Sequence, residues 1–398
     1  MSRVLLLAVT FVLLVTAACG GDDAAPTATP AQPGAAQSGE TSAGQPTQDQ
    51  TQQGQQPQTQ PATAPDASEP TTPPAEGQPT EAPAQLTPEQ LQQYQPNELG
   101  QIPILEYHQI GPNPEQFVRT PDQMRGDLQW LYDHGFYVVN LSDVLNDQID
   151  VPLGKKPVVL TFDDSPAGQF RLLRLETGQY AIDPDSAVGI METFFGAHPD
   201  FGRGGLFVVL PNKAFDWTTW AYEDDQAGLG EMKVQWLVDN GYELSNHTLD
   251  HVSLGDLTND EIMYQLAEAN MAIQRIVPGV PIDPITLPYG IYPNGGDDTL
   301  FRGFDYKGQH FVWRAALLVG ANPTVAPLST EYDPYAMARI QAFDEELDKW
   351  FSVFEENPGL LYVSDGNPNI VTVPTDLHPW LVGTFDETKV QGREIVRY

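Results

Sequence analysis

Val158-Val159-Leu160-Thr161-Phe162-Asp163-Asp164 is the stretch from which the fold is read. This short apolar run is entered through Lys155-Lys156-Pro157 and left through Ser165-Pro166, the length and bounds of a buried strand. It ends in two adjacent carboxylates. Where strands and helices alternate, catalytic side chains collect at the carboxyl ends of the strands, so the pair marks a candidate site. For the run alone, an Asp pair capping a turn explains as much. The surrounding pattern does alternate. Residues 102–108 read as a strand that delivers His108 to its end, and 121–135 as a helix capped by Thr120, with Met124, Leu128 and Leu131 on one face. Residues 136–139 and 205–210 read as strands, 141–145 and 187–196 as helical. The helix over 231–240, with Met232, Trp236 and Leu237 facing inward, feeds a strand at 242–246. Thr258 and Glu261 form a capping box at the head of a helix over 258–277. This order predicts parallel strands under outer helices, a barrel or a doubly wound sheet.

The chain opens with an address. Met1-Ser2-Arg3 is a short basic start, residues 4–15 are apolar apart from Thr10, and Thr16-Ala17-Ala18 precede Cys19, the one cysteine of the chain. The apolar run has the length of a signal-peptide core and is short for a stable transmembrane helix. A lone cysteine excludes a disulfide framework. Its position resembles a bacterial lipoprotein signal, with residues 1–18 removed and Cys19 lipidated, although Thr16 stands where that signal more often has Leu. An ordinary secretory signal is the alternative, and either one puts the mature protein outside the cytoplasm. Residues 19–97 are rich in Ala, Pro, Thr, Gln and Gly and lack large apolar runs, so the composition predicts a disordered tether that holds the domain away from the membrane. The formal charge is −35, from 54 acidic and 19 basic residues. No basic patch interleaved with aromatics appears, which excludes a nucleic-acid partner. No Gly-x-Gly-x-x-Gly follows a strand and no Gly-Lys-Ser/Thr occurs, so nucleotide and nicotinamide sites lack support.

The chemistry must come from strand ends. His247 and His251 in His247-Thr248-Leu249-Asp250-His251 would share one side of a helical turn and could bind one ion. Two imidazoles and one carboxylate leave open positions on a divalent ion, as a catalytic metal centre requires. Of Asp163 and Asp164, one would ligate and the other act as base.

Together with Leu287-Pro288-Tyr289-Gly290 and the Tyr107-His108 strand, these motifs resemble the NodB-homology polysaccharide deacetylases, carbohydrate esterase family 4. The resemblance implies a deformed (β/α) barrel over residues 98–350, followed by a strand-rich extension of the barrel over 351–398. It implies Asp163 as general base, Asp164, His247 and His251 as ligands of one divalent metal, usually zinc, and the Tyr289 N–H as oxyanion donor. The implied activity is removal of N- or O-acetyl groups from an acetylated polysaccharide or oligosaccharide. Three features depart from the family pattern. Ser165 replaces the usual Gly, and Thr286 stands where an Arg usually orients the base. No Leu-x-x-His supplies the acid, for which His310, His378 and His108 are the candidates. A missing acid favours an ester substrate or weak amidase activity, and a catalytically inactive glycan-binding lipoprotein is the alternative function. A different metal-dependent hydrolase of the same barrel type, acting on a glycosidic bond or a small amide, is another. Trp217, Trp220, Tyr222, Tyr289 and Tyr292 lie near the candidate mouth and would stack on sugar faces or pack as core and rim.

Overall fold

The computed structural model describes residues 85–218 and 226–398; the signal segment, Cys19, Trp220 and Tyr222 lie outside the described residues. The first described element is a helix, α1 (Pro88–Tyr94), whose Thr87 and Gln90 form a reciprocal capping box. Beyond it Asn97 pairs with Val363 and Gln101 with Leu361. The tether predicted to reach residue 97 therefore gives way to structure earlier, because a capped first turn with Pro at its start needs few apolar residues to form.

The strands β1 (Ile104–Tyr107), β2 (Phe136–Val138), β3 (Lys156–Phe162), β4 (Leu206–Val209), β5 (Glu243–Asn246), β6 (Pro284–Thr286), β7 (Ala315–Leu317) and β8 (Ile340–Gln341) form one sheet. Its order is β7-β6-β5-β4-β3-β1-β8, β2 pairs with β3, and every pairing is parallel. The two ends approach through a parallel bridge between Leu317 and Met337, with Leu318 N–H donating to Met337 O at 2.9 Å. The sheet is thus curled toward closure, a deformed (β/α) barrel. Inside it Ile104, Val159, Leu206, Val208, Ala315 and Leu317 pack together, and Leu141, Val144, Ile149 and Val151 join the same cluster. That burial is why β3 reads as an unbroken apolar run: both of its faces are covered.

Helices α2 (Pro121–Asp133), α3 (Leu141–Leu145), α4 (Ala187–Ala197), α5 (Gly230–Asp239), α6 (Asn259–Ile276) and α7 (Asp344–Glu356) follow the strands. Thr120 and Thr258 cap α2 and α6 as their sequences predict; the Thr258–Glu261 box is the expected one, and Thr120 forms a second with Gln123. In α5 the inward face differs from expectation. Met232 is exposed and Lys233 is buried, its ammonium donating to Phe215 O at 2.7 Å and Gln226 Oε1 at 2.8 Å. Polar partners supplied by the preceding loop let a cation occupy a position that hydrophobic periodicity gives to its neighbour. The C-terminal boundary also moves, since residue 350 lies inside α7. Residues Ile370–Val373 pair in parallel with Glu394–Arg397 as a separate two-stranded sheet, so the last strand does not extend the barrel. Leu99 packs with Leu328, Val371, Val373 and Val390, which binds the N-terminal segment to this extension.

Candidate metal centre and acid–base site

Two carboxylates in succession on a strand point to opposite faces, yet both are needed at one mouth. The backbone resolves this at the end of β3. Asp163 still donates its N–H to Tyr107 O at 2.8 Å in strand fashion, whereas Asp164 and Ser165 adopt φ of +71° and +45°. This left-handed turn is strained for residues with a Cβ, which is the reason a Gly suits position 165. Ser165 is held there by its Oγ, which accepts the Leu210 N–H at 3.1 Å. Trp217 Nε1 donates to Asp164 O at 2.9 Å, and Gln169 Nε2 donates to both Asp163 O and His108 O at 2.6 Å.

The imidazoles also reach the mouth through left-handed backbone. Residues 247–251 do not form the helical turn predicted for them: Thr248 has φ +63° and His251 φ +56°. Asn246 Oδ1 accepts the Thr248 N–H at 2.8 Å, and Gln265 of α6 accepts the N–H groups of Leu249 and Asp250 at 3.0 Å each. Side-chain acceptors replace the helix that the spacing suggested. His247 Nε2 lies 3.1 Å and His251 Nε2 3.0 Å from Asp164 Oδ1. His247 Nδ1 sits 2.9 Å from Thr286 O. A carbonyl only accepts, so Nδ1 carries the hydrogen and Nε2 of the neutral ring presents a lone pair to a carboxylate oxygen. Such a contact is favourable only with a proton or a cation between the two atoms. The donor set of one carboxylate and two imidazoles therefore fits a divalent ion of the zinc type. Burial alone would raise the Asp164 carboxyl, but its contacts with His247 and His251 and the charges of His247 and His108 hold it far below the usual carboxylate range. Burial lowers His247, and the hydrogen bond that its protonated form makes to Asp164, with the charges of both aspartates, outweighs that and raises it.

A second group gathers beside the first. Glu106, His108 and Asp163 each place one atom within 4.8 Å of the others. Between them lies Arg339, fully buried, which donates to the two Asp163 oxygens at 2.7 and 2.8 Å, to Thr161 Oγ1 at 3.0 Å and to Leu318 O at 2.7 Å. Burial raises the Asp163 carboxyl, and the charge and hydrogen bonds of Arg339 reverse the sign and hold it below its ordinary value. Arg339 thus occupies the place that the family pattern gives to an Arg at 286. Sequence reasoning missed it; the available signal was a lone Arg in the apolar run Ala336-Met337-Ala338-Arg339-Ile340, which must find a buried anion. Thr286 is itself buried, shares a hydrogen bond with Ser245 Oγ at 2.8 Å, and orients His247 through its carbonyl.

The remaining candidates separate. His310 is exposed on the hairpin of Phe304–Tyr306 and Gln309–Phe311, paired with Asp305 at 2.9 Å, so it is not brought to the site. His378 is on a C-terminal loop beside Trp380. His108 is at the mouth, its ring 5.1 Å from Phe117, and burial lowers its proton affinity although the charges of Asp163 and Asp164 oppose that. Tyr289 has φ +59°, is exposed, and sets its ring 4.8 Å from that of His251. The hydrogen bonds of its turn run from Gly290 N–H to Leu287 O and from Ile291 N–H to Pro288 O, and neither uses the Tyr289 N–H. Trp217 lines the Asp164 side, while the Tyr292 hydroxyl is engaged by Tyr335 O.

Residues 206–298, which include His247, His251 and Tyr289, match the family described as polysaccharide deacetylase. A chitooligosaccharide deacetylase of Sinorhizobium fredii is 34% identical over 80 residues, covering 20% of this chain and 34% of that relative. The chain thus spans about a third of that relative's length. Among solved structures, a polysaccharide deacetylase from Bacillus cereus is similar at 16% identity and TM-score 0.44, over 63% of this chain and 69% of that one. IcaB from Ammonifex degensii is similar at 15% identity and TM-score 0.43, over 64% and 96%. Streptococcus pyogenes deacetylase PplD, solved with acetate, is similar at 17% identity and TM-score 0.42, over 61% and 92%. The family match falls on the strand that leads to both imidazoles and on the turn that carries Tyr289.

Proposed function

We propose that this chain is a metal-dependent deacetylase that hydrolyses N-acetyl groups on a cell-envelope or environmental polysaccharide. The observation that carries the reading is the convergence of Asp164, His247 and His251 beside an Asp163 already paired to Arg339. Asp164, His247 and His251 would hold the ion, most simply zinc. Such an ion supplies Lewis acidity, polarising the acyl carbonyl and making water more acidic.

Asp163 takes the proton of the attacking water on a carboxylate oxygen, oriented by the Arg339 fork. A carboxylate held low by Arg339 is a weak base, sufficient only for water that is already acidified. The Tyr289 N–H stands at the mouth beside His251 and donates to the developing oxyanion. His108, at the end of β1, gives its proton to the leaving nitrogen. With His108 and Arg339 in these positions, both parts missing from the sequence pattern are supplied. This placement favours the amide as the linkage over the ester and over an inactive binding protein. Cys19, lipidated after removal of residues 1–18, would anchor the domain outside the cytoplasm through the segment that precedes residue 85.

The test is acetate release by residues 85–398 from chito-oligosaccharides, peptidoglycan fragments and acetylated xylan, with chelator and with added zinc. Zinc-restored acetate from the amide substrates supports the reading. Acetate from xylan alone would return the ester, and none from any substrate would refute deacetylation.

A further inference from the structure

Two aromatic rings stand exposed on either side of the candidate centre: Phe117 is 43% and Tyr289 61% exposed. A chain of contacts joins them across the mouth. The Phe117 ring lies 5.1 Å from that of His108, and His108 and Asp163 each place one atom within 4.8 Å of the other. Asp164 follows, its Oδ1 3.0 Å from His251 Nε2, and the His251 ring lies 4.8 Å from that of Tyr289. Phe117 comes after β1 and sets its ring 6.3 Å from that of Phe343, which comes after β8. Tyr289 comes after β6. The groups proposed to hold the metal and to handle protons therefore lie between two exposed rings on different arcs of the sheet.

Phe117 is mounted rigidly. Residues Gln109–Ile110 and Val118–Arg119 pair in parallel, and Gln109 N–H donates to Phe117 O at 3.0 Å. Glu115 and Val118 exchange backbone hydrogen bonds at 3.0 and 3.2 Å. Alternation turns Val118 inward, where it is buried, and leaves Phe117 outward. Arg119, also buried, donates to Asp127 of α2 and Asp344 of α7, and Asp127 accepts the Tyr107 hydroxyl at 3.2 Å as well. With the next two residues fixed in this way, the ring is in place before a ligand arrives, and little freedom is lost on binding. Its outer face stays in water until something flat and apolar covers it.

We propose that Phe117, edged by Phe343, and Tyr289 are stacking platforms for the sugars on either side of the acetylated one, so that the domain acts on internal residues of a chain of flat, equatorially substituted pyranose rings. This rests on the proposed deacetylase reading of the same site. A pyranose of that shape shows C–H groups on both faces and hydroxyls at its rim. Its face covers an aromatic ring while the hydroxyls remain hydrated. An axial hydroxyl would press a polar group into the contact and weaken it. A sugar chain resting on both rings crosses the mouth and lays one residue between them, over Asp163 and Asp164.

The test uses the full chain with zinc and chito-oligosaccharides of increasing length, from the monosaccharide to the hexamer. In wild type, KM should fall as the chain grows, and mass spectrometry of the products should find the free amine on internal sugars. Phe117→Ala should raise KM on the hexamer at least about fivefold, with kcat and the monosaccharide KM within about twofold, and Phe117→Trp should restore the hexamer. The same change at every length, or a fall in kcat that includes the monosaccharide, would show that Phe117 only orients His108 and would overturn the proposal. Free amines confined to the chain ends would overturn it too. Calorimetric binding of the hexamer, compared between wild type and Phe117→Ala, separates the two readings. Binding that weakens in Phe117→Ala, from a wild type that releases no acetate, would refute the deacetylase reading and leave the platforms standing. Acetate release with hexamer binding indifferent to Phe117 would do the reverse.

Discussion

Replacing Arg339 by Ala should be among the most damaging single changes in the domain, with a dependence on pH that identifies the cause. The side chain is fully buried, its fork grips Asp163 at 2.7 and 2.8 Å, and it lies 3.4 Å from Glu106. Removing one member of a buried ion pair strands the other, which costs about 3–5 kcal/mol. At roughly 2–3 °C per kcal/mol for a domain of this size, the midpoint should fall by about 6–15 °C. The sign with pH follows from the carboxyls. In wild type the Asp163 carboxyl is depressed, so its contribution is present above the ordinary carboxylate range and is lost as pH falls through its lowered value. Without Arg339, burial acts unopposed and raises Asp163 above its unfolded value. The variant then takes up a proton on folding and regains stability as pH falls from about 8 toward 5. The gap between the two proteins, read by urea unfolding in chelator, should be widest near pH 8 and narrower near pH 5. A gap that is the same at both, or smaller than about 1 kcal/mol at pH 8, would refute the role given to Arg339.

Asp164→Asn and His251→Ala should each weaken zinc binding by more than about 100-fold, since outer partners alone are worth about 10–100-fold. His108→Asn should leave zinc affinity nearly unchanged, and calorimetric titration distinguishes them. Lys233, pushed down to about 7 by burial, is neutral in the folded state over a range where the unfolded chain is protonated. The unfolded state then binds more protons, so this residue makes stability rise between about pH 7 and 10. Lys233→Met should remove that part of the slope, and parallel unfolding curves for the two proteins across this range would contradict it. Mass spectrometry of the mature N-terminus should find a lipidated Cys19, and an unmodified start would refute the anchor.

What could be read from the sequence was what depends on local pattern. The caps of α2 and α6, the apolar run of β3 and the strands leading to His108 and His247 each have a cause within a few residues. What could not be read depends on partners far along the chain. Arg339 is 176 residues from Asp163, on a segment whose strand is two residues long, and no local pattern marks it as a partner of the base. The inward turn of Lys233 depends on acceptors at Phe215 and Gln226. The four-residue spacing of His247 and His251 predicts a helical turn, yet Gln265 and Asn246 bring the two rings together on an irregular loop.

The turn after Phe162 explains how one dipeptide serves two centres. Had Asp164 continued the strand, its side chain would have pointed away from that of Asp163, and only one carboxylate would have reached the mouth. Asp163, still bonded in strand fashion, faces β1 and the approach to β8, where Glu106, His108 and Arg339 lie, and the left-handed φ at Asp164 and Ser165 turns Asp164 toward the end of β5. The proposed metal ligands and the proposed proton-handling groups therefore come from opposite arcs of the curled sheet and meet at adjacent residues. Strain at two residues costs on the order of 1–3 kcal/mol each, and here Leu210 N–H and Trp217 Nε1 are tied to that same turn. An Asp163 held by Arg339 is kept from the proposed ion site, and an Asp164 held between two imidazoles is kept from acting as base. Exchanging these proposed roles would require both side-chain networks to break, so the proposed separation of ligand from base is set before any substrate binds.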